Sequence, residues 1–142
     1  MVEAQGRLSP PGLAQAIAPG ALELGPDYYR GVVTEYQKRR DTLYDGLSKI
    51  PGVFLRKPEG AFYFVARLPV TDSDDLAAWL LSDFSLGGKT VMVAPASGFY
   101  VTPGLGKDEV RIAYVLKDED LREAIRILAV ALPRYRKARN LG

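Results

Sequence analysis

From Asp27 onward apolar residues recur at helical spacing, at Tyr29, Val32, Val33, Tyr36, Leu43 and Leu47. Pro26 and an acidic first turn precede them, so the spacing predicts a long amphipathic helix that ends before Pro51-Gly52. Two extended runs follow, VFLRK (53–57) and AFYFVAR (61–67), on either side of Lys57-Pro-Glu-Gly60. A proline-to-glycine tetrapeptide between such runs predicts an antiparallel hairpin. A second helix is predicted to start within Thr71-Asp-Ser-Asp-Asp75, where short polar side chains accept from free backbone N–H groups. It carries Leu76, Leu80 and Phe84, and Gly87-Gly88 stops it. TVMVAP (90–95) and VRIAYV (110–115) read as the third and fourth strands. Asp118 is predicted to cap a last helix with Leu121, Ile125, Leu128 and Leu132 on one stripe, which Pro133 should bend or end. Residues 1–26 hold four of the ten prolines and four of the fourteen glycines, with no sustained period. They read as an arm with a short helix over Leu13 to Ile17.

The order α-β-β-α-β-β-α predicts an α/β (α+β) fold. The expected form is a two-layer sandwich, a small, mostly antiparallel or mixed sheet of about four strands with helices covering one face. The domain proper runs over 27–142 and the arm over 1–26. Both faces of the predicted sheet are apolar. Phe62 and Phe64 point one way, and Ala61, Tyr63 and Val65 the other; Val91 and Val93 likewise oppose Met92 and Ala94. Three helices cover one face, and the other would remain as an exposed apolar patch of the kind that marks an interface. Either a partner packs there or the arm folds back over it.

Composition bounds the chemistry. A chain of 142 residues fits one domain able to bury roughly 70% of its unfolded surface. Its 47% hydrophobic and 25% charged residues are those of a globular protein, and a net charge of +2 gives no case for nucleic acid. The basic run Arg134 to Arg139 reads as the solvated face of a terminal helix. The chain has no histidine and no cysteine, which excludes Ser-His-Asp and Cys-His nucleophiles, thiolate zinc sites and disulfides. No segment approaches the roughly 18 consecutive apolar residues of a membrane span, and the N-terminus lacks the order of a signal peptide, so a cytoplasmic location is expected.

Few motifs survive inspection. Gly87-Gly-Lys-Thr90 resembles the end of a phosphate loop, but Asp83 replaces the leading glycine and the segment runs into a strand, so no helix N-terminus faces a phosphate. Gly104-Leu-Gly106 is too short for a dinucleotide fingerprint. The carboxylates Asp72, Asp74, Asp75 and Asp118, Glu119, Asp120 stand at helix starts, where they cap amides and complement the dipole; no metal site is expected. The seven lysines offer no Schiff-base candidate, because they lie mainly in polar or turn-like contexts. Arg111 is different: it stands in an apolar strand, with Ala113 two residues along its own face. It is either a planar fork for a carboxylate or an edge-strand arginine, in water or paired with Glu109 or another acid.

RLSPP (7–11), YQKRRDTLYDGL (36–47), PGVFLRKPEGAFYF (51–64), TVMVAPASGFY (90–100) and EVRIAYVL (109–116) follow one another in an order that resembles the C-terminal, small domain of class I/II pyridoxal-phosphate-dependent aminotransferases. The aspartate aminotransferase group is the nearest. The resemblance runs from about Gln5 to Tyr135. It implies that Arg111 binds the substrate α-carboxylate of an amino acid or 2-oxo acid, that Phe62 lies near the substrate, and that the arm is a remnant of the inter-domain connection. It also implies pyridoxal phosphate in the parent enzyme. The large domain, with its Schiff-base lysine and phosphate-binding residues, has no counterpart here, so no catalytic or cofactor-binding residue, no bound cofactor and no transamination are expected of this chain alone. The large domain then becomes the expected partner on the second sheet face, whether the chain is an excised piece or a truncated gene product. The alternative is a stand-alone interaction or oligomerisation module using that face, and a homo-oligomer is compatible with either. Neither nucleic acid nor membrane is an expected partner.

Overall fold

A computed structural model describes residues 10–141. The first nine residues, including Gln5 and the RLS of RLSPP, lie outside the described residues. The chain divides into two compact units, Met1–Thr34 and Glu35–Gly142. In the first, α1 (Gly12–Ala21) exceeds the expected Leu13–Ile17 helix at both ends and includes Pro19. The Tyr29 hydroxyl donates to the Ala21 carbonyl. Every described residue as far as Glu35 is exposed. Helix α2 (Pro26–Leu47) begins at Pro26 itself, one residue before the expected start, with the proline in the first helical position.

The second unit holds the sheet. Strands β1 (Phe54–Leu55), β2 (Tyr63–Arg67), β3 (Ala94–Pro95) and β4 (Glu109–Ala113) form one antiparallel sheet in the order β1-β2-β4-β3. The hairpin is real but its arms are shorter than predicted. Only Phe54 and Leu55 pair with Arg67 and Ala66, while Tyr63 to Arg67 pair along their whole length with β4. TVMVAP is a correction: the ladder with β4 closes only at Ala94 and Pro95. The alternation persists, with Val93 buried and Met92 exposed. Thr90 Oγ1 donates to the Leu80 carbonyl at 2.6 Å, so the segment leading to β3 is tied to a helix rather than to a strand. Alternation reports which side is buried and not what pairs.

Paired residues share a face. Leu55, Phe64, Ala66 and Val110 point to the helices and are buried, with Ile112 half-buried; Phe54, Tyr63, Val65, Arg67, Arg111 and Ala113 lie on the open face. Phe62 does not share the burial of Phe64 as its parity predicted. It stands ahead of the paired part of β2, next to Ala61, which holds a left-handed φ of +61°.

Three helices cover the buried face in one core. From α2 come Leu43 and Leu47; from α3 (Ser73–Ser82) come Leu76, Trp79 and Leu80. Helix α4 (Asp118–Ala138) adds Leu121, Ile127, Leu128, Ala131, Leu132 and Tyr135. The start of α3 is capped by Asp72, whose Oδ1 accepts from Asp74 N at 2.9 Å and Asp75 N at 3.1 Å. Asp118 is the first residue of α4 rather than its cap; Lys117 holds the cap position. Three acids in the first turn and Arg136 and Lys137 in the last complement the dipole. Pro133 does not end α4, because it and Ala129, whose carbonyl it leaves without an N–H, are both on the solvent side.

Where α2 crosses α4, Gly46 has no room for a side chain. A Cβ there would overlap Ile125, with Cγ1 and Cγ2 both at 3.0 Å and Cδ1 nearer still. Gly46→Ala improves helix propensity by about 1 kcal/mol, yet overpacking costs roughly 1–3 kcal/mol. The expected result is a net loss of stability in chemical denaturation, reversed when Ile125→Ala is added. A stabilised single variant contradicts this packing.

Candidate carboxylate-binding site

Arg111 sits in the middle of the open face. Its strand β4 lies between β2 and β3, and the residue is paired with Val65 on one side and Ala94 on the other. It is therefore an inner-strand arginine and not an edge one. Glu109 is engaged elsewhere, accepting from the Tyr100 hydroxyl at 2.5 Å, and among the described residues no carboxylate lies within ion-pair distance of Arg111. Two rings take its guanidinium instead. Its Cζ is 5.1 Å from the Tyr63 ring centroid and 5.0 Å from that of Phe99. Its neighbours on the same face, Ala94 and Ala113, are small, and Arg111 is exposed.

The elements that place these groups are themselves tied down. Phe99 ends a short 3-10 helix (Ser97–Phe99) after β3, and Ser97 Oγ donates to Asp74 Oδ2 at 2.8 Å. Tyr100 packs beside Gly106, whose φ of +72° and approach to the Tyr100 ring admit no Cβ. On the other flank, Tyr114 underlies the turn before β2. Its backbone N–H donates to the Phe62 carbonyl at 2.9 Å, and its buried hydroxyl is 3.2 Å from the Gly60 carbonyl and 3.0 Å from that of Ala61. Burial pushes the Tyr114 hydroxyl pKa up, which keeps it a donor, against a smaller opposing effect of Arg40. Arg40 itself donates to the Pro58 carbonyl at 3.2 Å in the same turn.

Phe62, the second residue singled out from the sequence, is about half exposed, its ring 5.6 Å from that of Tyr63. Phe62, Tyr63 and Arg111 thus form a chain of contacts. Sequence reasoning placed Tyr63 on the face opposite Phe64 but gave it no role, although its parity already matched that of Arg111's strand partner Val65. Phe99 ends a three-residue 3-10 helix too short to show a period, and left no such signal.

Among the acids at the helix starts, Asp72, Asp74, Asp75 and Asp118 have structural partners. Asp72 caps α3, and Asp118 accepts from Thr42 and Arg122, which hold its pKa below the usual range. Arg126 brings Glu123 down to about 2. A larger concavity, about 730 Å³, lies on the helical side, lined by Gly46, Ile50, Pro69, Ile125 and Leu132 among others, away from Arg111. All seven lysines are exposed. A lysine that anchors pyridoxal phosphate needs a desolvated setting, and none of the described lysines has one.

The family model for aminotransferase class I and II matches residues 3–128. The chain is 32% identical to an aspartate aminotransferase of Rhizobium meliloti, covering 94% of this chain and 33% of the relative. It is 36% identical to a probable aspartate/prephenate aminotransferase of Aquifex aeolicus, over 80% of this chain and 29% of the relative. The crystal structure of an aspartate aminotransferase from Rhizobium meliloti superposes with a TM-score of 0.68 at 30% identity, over 94% of this chain and 34% of that one. That of an aspartate aminotransferase from Rhodobacter sphaeroides gives 0.74 at 26%, over 95% and 33%. The chain spans about a third of the length of these relatives. The family match, the sequence identities and the superpositions agree, and the chain belongs to the class I and II aminotransferases.

Proposed function

We propose that this chain supplies the substrate-carboxylate fork of an aspartate-aminotransferase-like enzyme, with Arg111 as the fork and Phe62 beside the substrate, and that it does not transaminate by itself. The observation that carries the reading is an inner-strand arginine with no acidic partner among the described residues, on an open apolar face. A guanidinium there offers two parallel N–H donors to one carboxylate, fixing its orientation as a lysine would not. The family's enzymes work with pyridoxal phosphate, which acts as an electron sink when bound. The described lysines do not fit its anchor, so the chemistry belongs to the remaining two thirds of the relatives' length. In this reading that part packs on the open sheet face, which explains why Tyr63, Val65, Met92 and Phe99 are apolar and exposed.

The test is titration of the purified 142-residue chain with succinate, followed on the arginine Nε–H resonances. Saturable movement of the Arg111 signal, absent for Arg56 and Arg67, is expected, with no aldimine absorbance when pyridoxal phosphate is added. A silent Arg111, or an aldimine band with turnover, overturns the proposal. A silent Arg111 in a chain that self-associates through the open face would favour an interaction module instead.

A further inference from the structure

An exposed arginine on a sheet surface has many rotamers, and a ligand that needs one of them must first select it. Arg111 is not in that position. Tyr63 reaches it from β2 on one side of β4, and Phe99 reaches it from the segment after β3 on the other. Neither ring belongs to the hydrophobic core; Tyr63 is 36% exposed and Phe99 64%. Phe99 therefore adds little to the core, and Tyr63 is buried only in part. Their shared contact is the guanidinium, whose Cζ lies 5.1 and 5.0 Å from the two ring centroids, within the range of cation–π attraction.

We propose that Tyr63 and Phe99 are positioning residues that hold the Arg111 guanidinium between them in the orientation that receives a carboxylate edge-on. The inference rests on the reading of Arg111 as a carboxylate fork, and adds how the fork is preorganised. The rings occupy guanidinium surface that would otherwise meet water and leave its donor edge as the approach for a planar, two-oxygen anion. The residues that fix the rings extend the device. Ser97 and Asp74 hold the turn that ends in Phe99, and Tyr114 holds the turn that precedes Tyr63.

Tyr63→Leu, Phe99→Leu, the double variant and the ring-preserving Tyr63→Phe test this in the 142-residue chain, with succinate as the probe. In the unaltered chain the Arg111 Nε–H should be ring-shifted, with slow guanidinium rotation. Each leucine variant should speed that rotation and weaken succinate binding by about fivefold, the double variant by more, at nearly unchanged melting temperature. Tyr63→Phe should behave as the unaltered chain. Equal rotation and equal succinate affinity in the double variant and the unaltered chain overturn the proposal, as does loss of binding that merely follows loss of folding. If succinate leaves Arg111 untouched while rotation still depends on both rings, the positioning stands and the carboxylate reading falls.

Discussion

Tyr135→Ala is expected to remove about 3–5 kcal/mol of stability, the cost of deleting a large buried ring. Against a total of roughly 5–15 kcal/mol for a domain of this kind, that leaves the fold marginal. The side chain is 1% exposed, its ring meets that of Trp79 edge-on at 5.6 Å, and its hydroxyl donates to Asp75 Oδ2 at 2.7 Å. Arg139 approaches the same carboxylate at 2.7 and 2.9 Å, so one acid at the start of α3 gathers two groups from the end of α4. Tyr135→Phe keeps the ring and removes only a hydrogen bond to a carboxylate, which should cost about 1.5–3 kcal/mol.

The hydroxyl also sets a pH dependence. Burial first, and then the Asp75 carboxylate, push Tyr135 up to about 12. Its unfolded value is near 10. A raised tyrosine pKa means that the contribution is intact below about 10 and is lost as pH rises toward 12. Asp75 runs the other way. Arg139 and then Tyr135 hold its pKa below the usual range, so its contribution is present above the ordinary carboxylate pKa and is lost as pH falls through the lowered one. Urea unfolding across pH should show the alkaline loss in the unaltered chain and a reduced one in Tyr135→Phe, with much of the acid loss retained because Arg139 remains. An unchanged alkaline limb in the phenylalanine variant argues against the hydroxyl's role.

The second large effect concerns Tyr114, and it ties the core to the site. Tyr114→Ala empties a volume packed against Phe64, whose ring centroid is 5.9 Å away, and should cost about 3–5 kcal/mol. Tyr114→Phe is the more informative change. It leaves the packing and removes only the donor shared by the Gly60 and Ala61 carbonyls, an expected loss of about 1–2 kcal/mol. Ala61 holds a left-handed φ of +61°, a conformation that a non-glycine residue keeps only when its surroundings impose it. Relaxation of that turn should appear as faster amide exchange at residues 61–63. Unchanged exchange there would mean that the backbone pairing of Phe62 with Tyr114 suffices.

Much of this protein was legible before the structure. The helical period behind Pro26, the acid-rich start near Asp72 and the stripe through Leu121, Leu128 and Leu132 are local patterns, and the helices formed where those patterns lie. The apolar second face was also readable, because parity within a strand is a local property. Pairing was not. TVMVAP has the alternation of a six-residue strand yet contributes two residues to the ladder, since its length of contact depends on a neighbour distant in sequence. Phe62 failed for a related reason, as it lies ahead of the paired part of β2, where what covers a side chain depends on segments distant in sequence.

The sequence by itself determined the helices, the two-faced sheet, the exclusion of histidine and cysteine chemistry, and Arg111 as the residue out of place. Tertiary structure alone decided that β4 is an inner strand, that Glu109 is taken by Tyr100, and that rings from β2 and from the turn after β3 converge on one guanidinium. Periodicity is carried by neighbours along the chain, whereas the surroundings of a charge are assembled from segments whose separation in sequence says nothing about their distance in space.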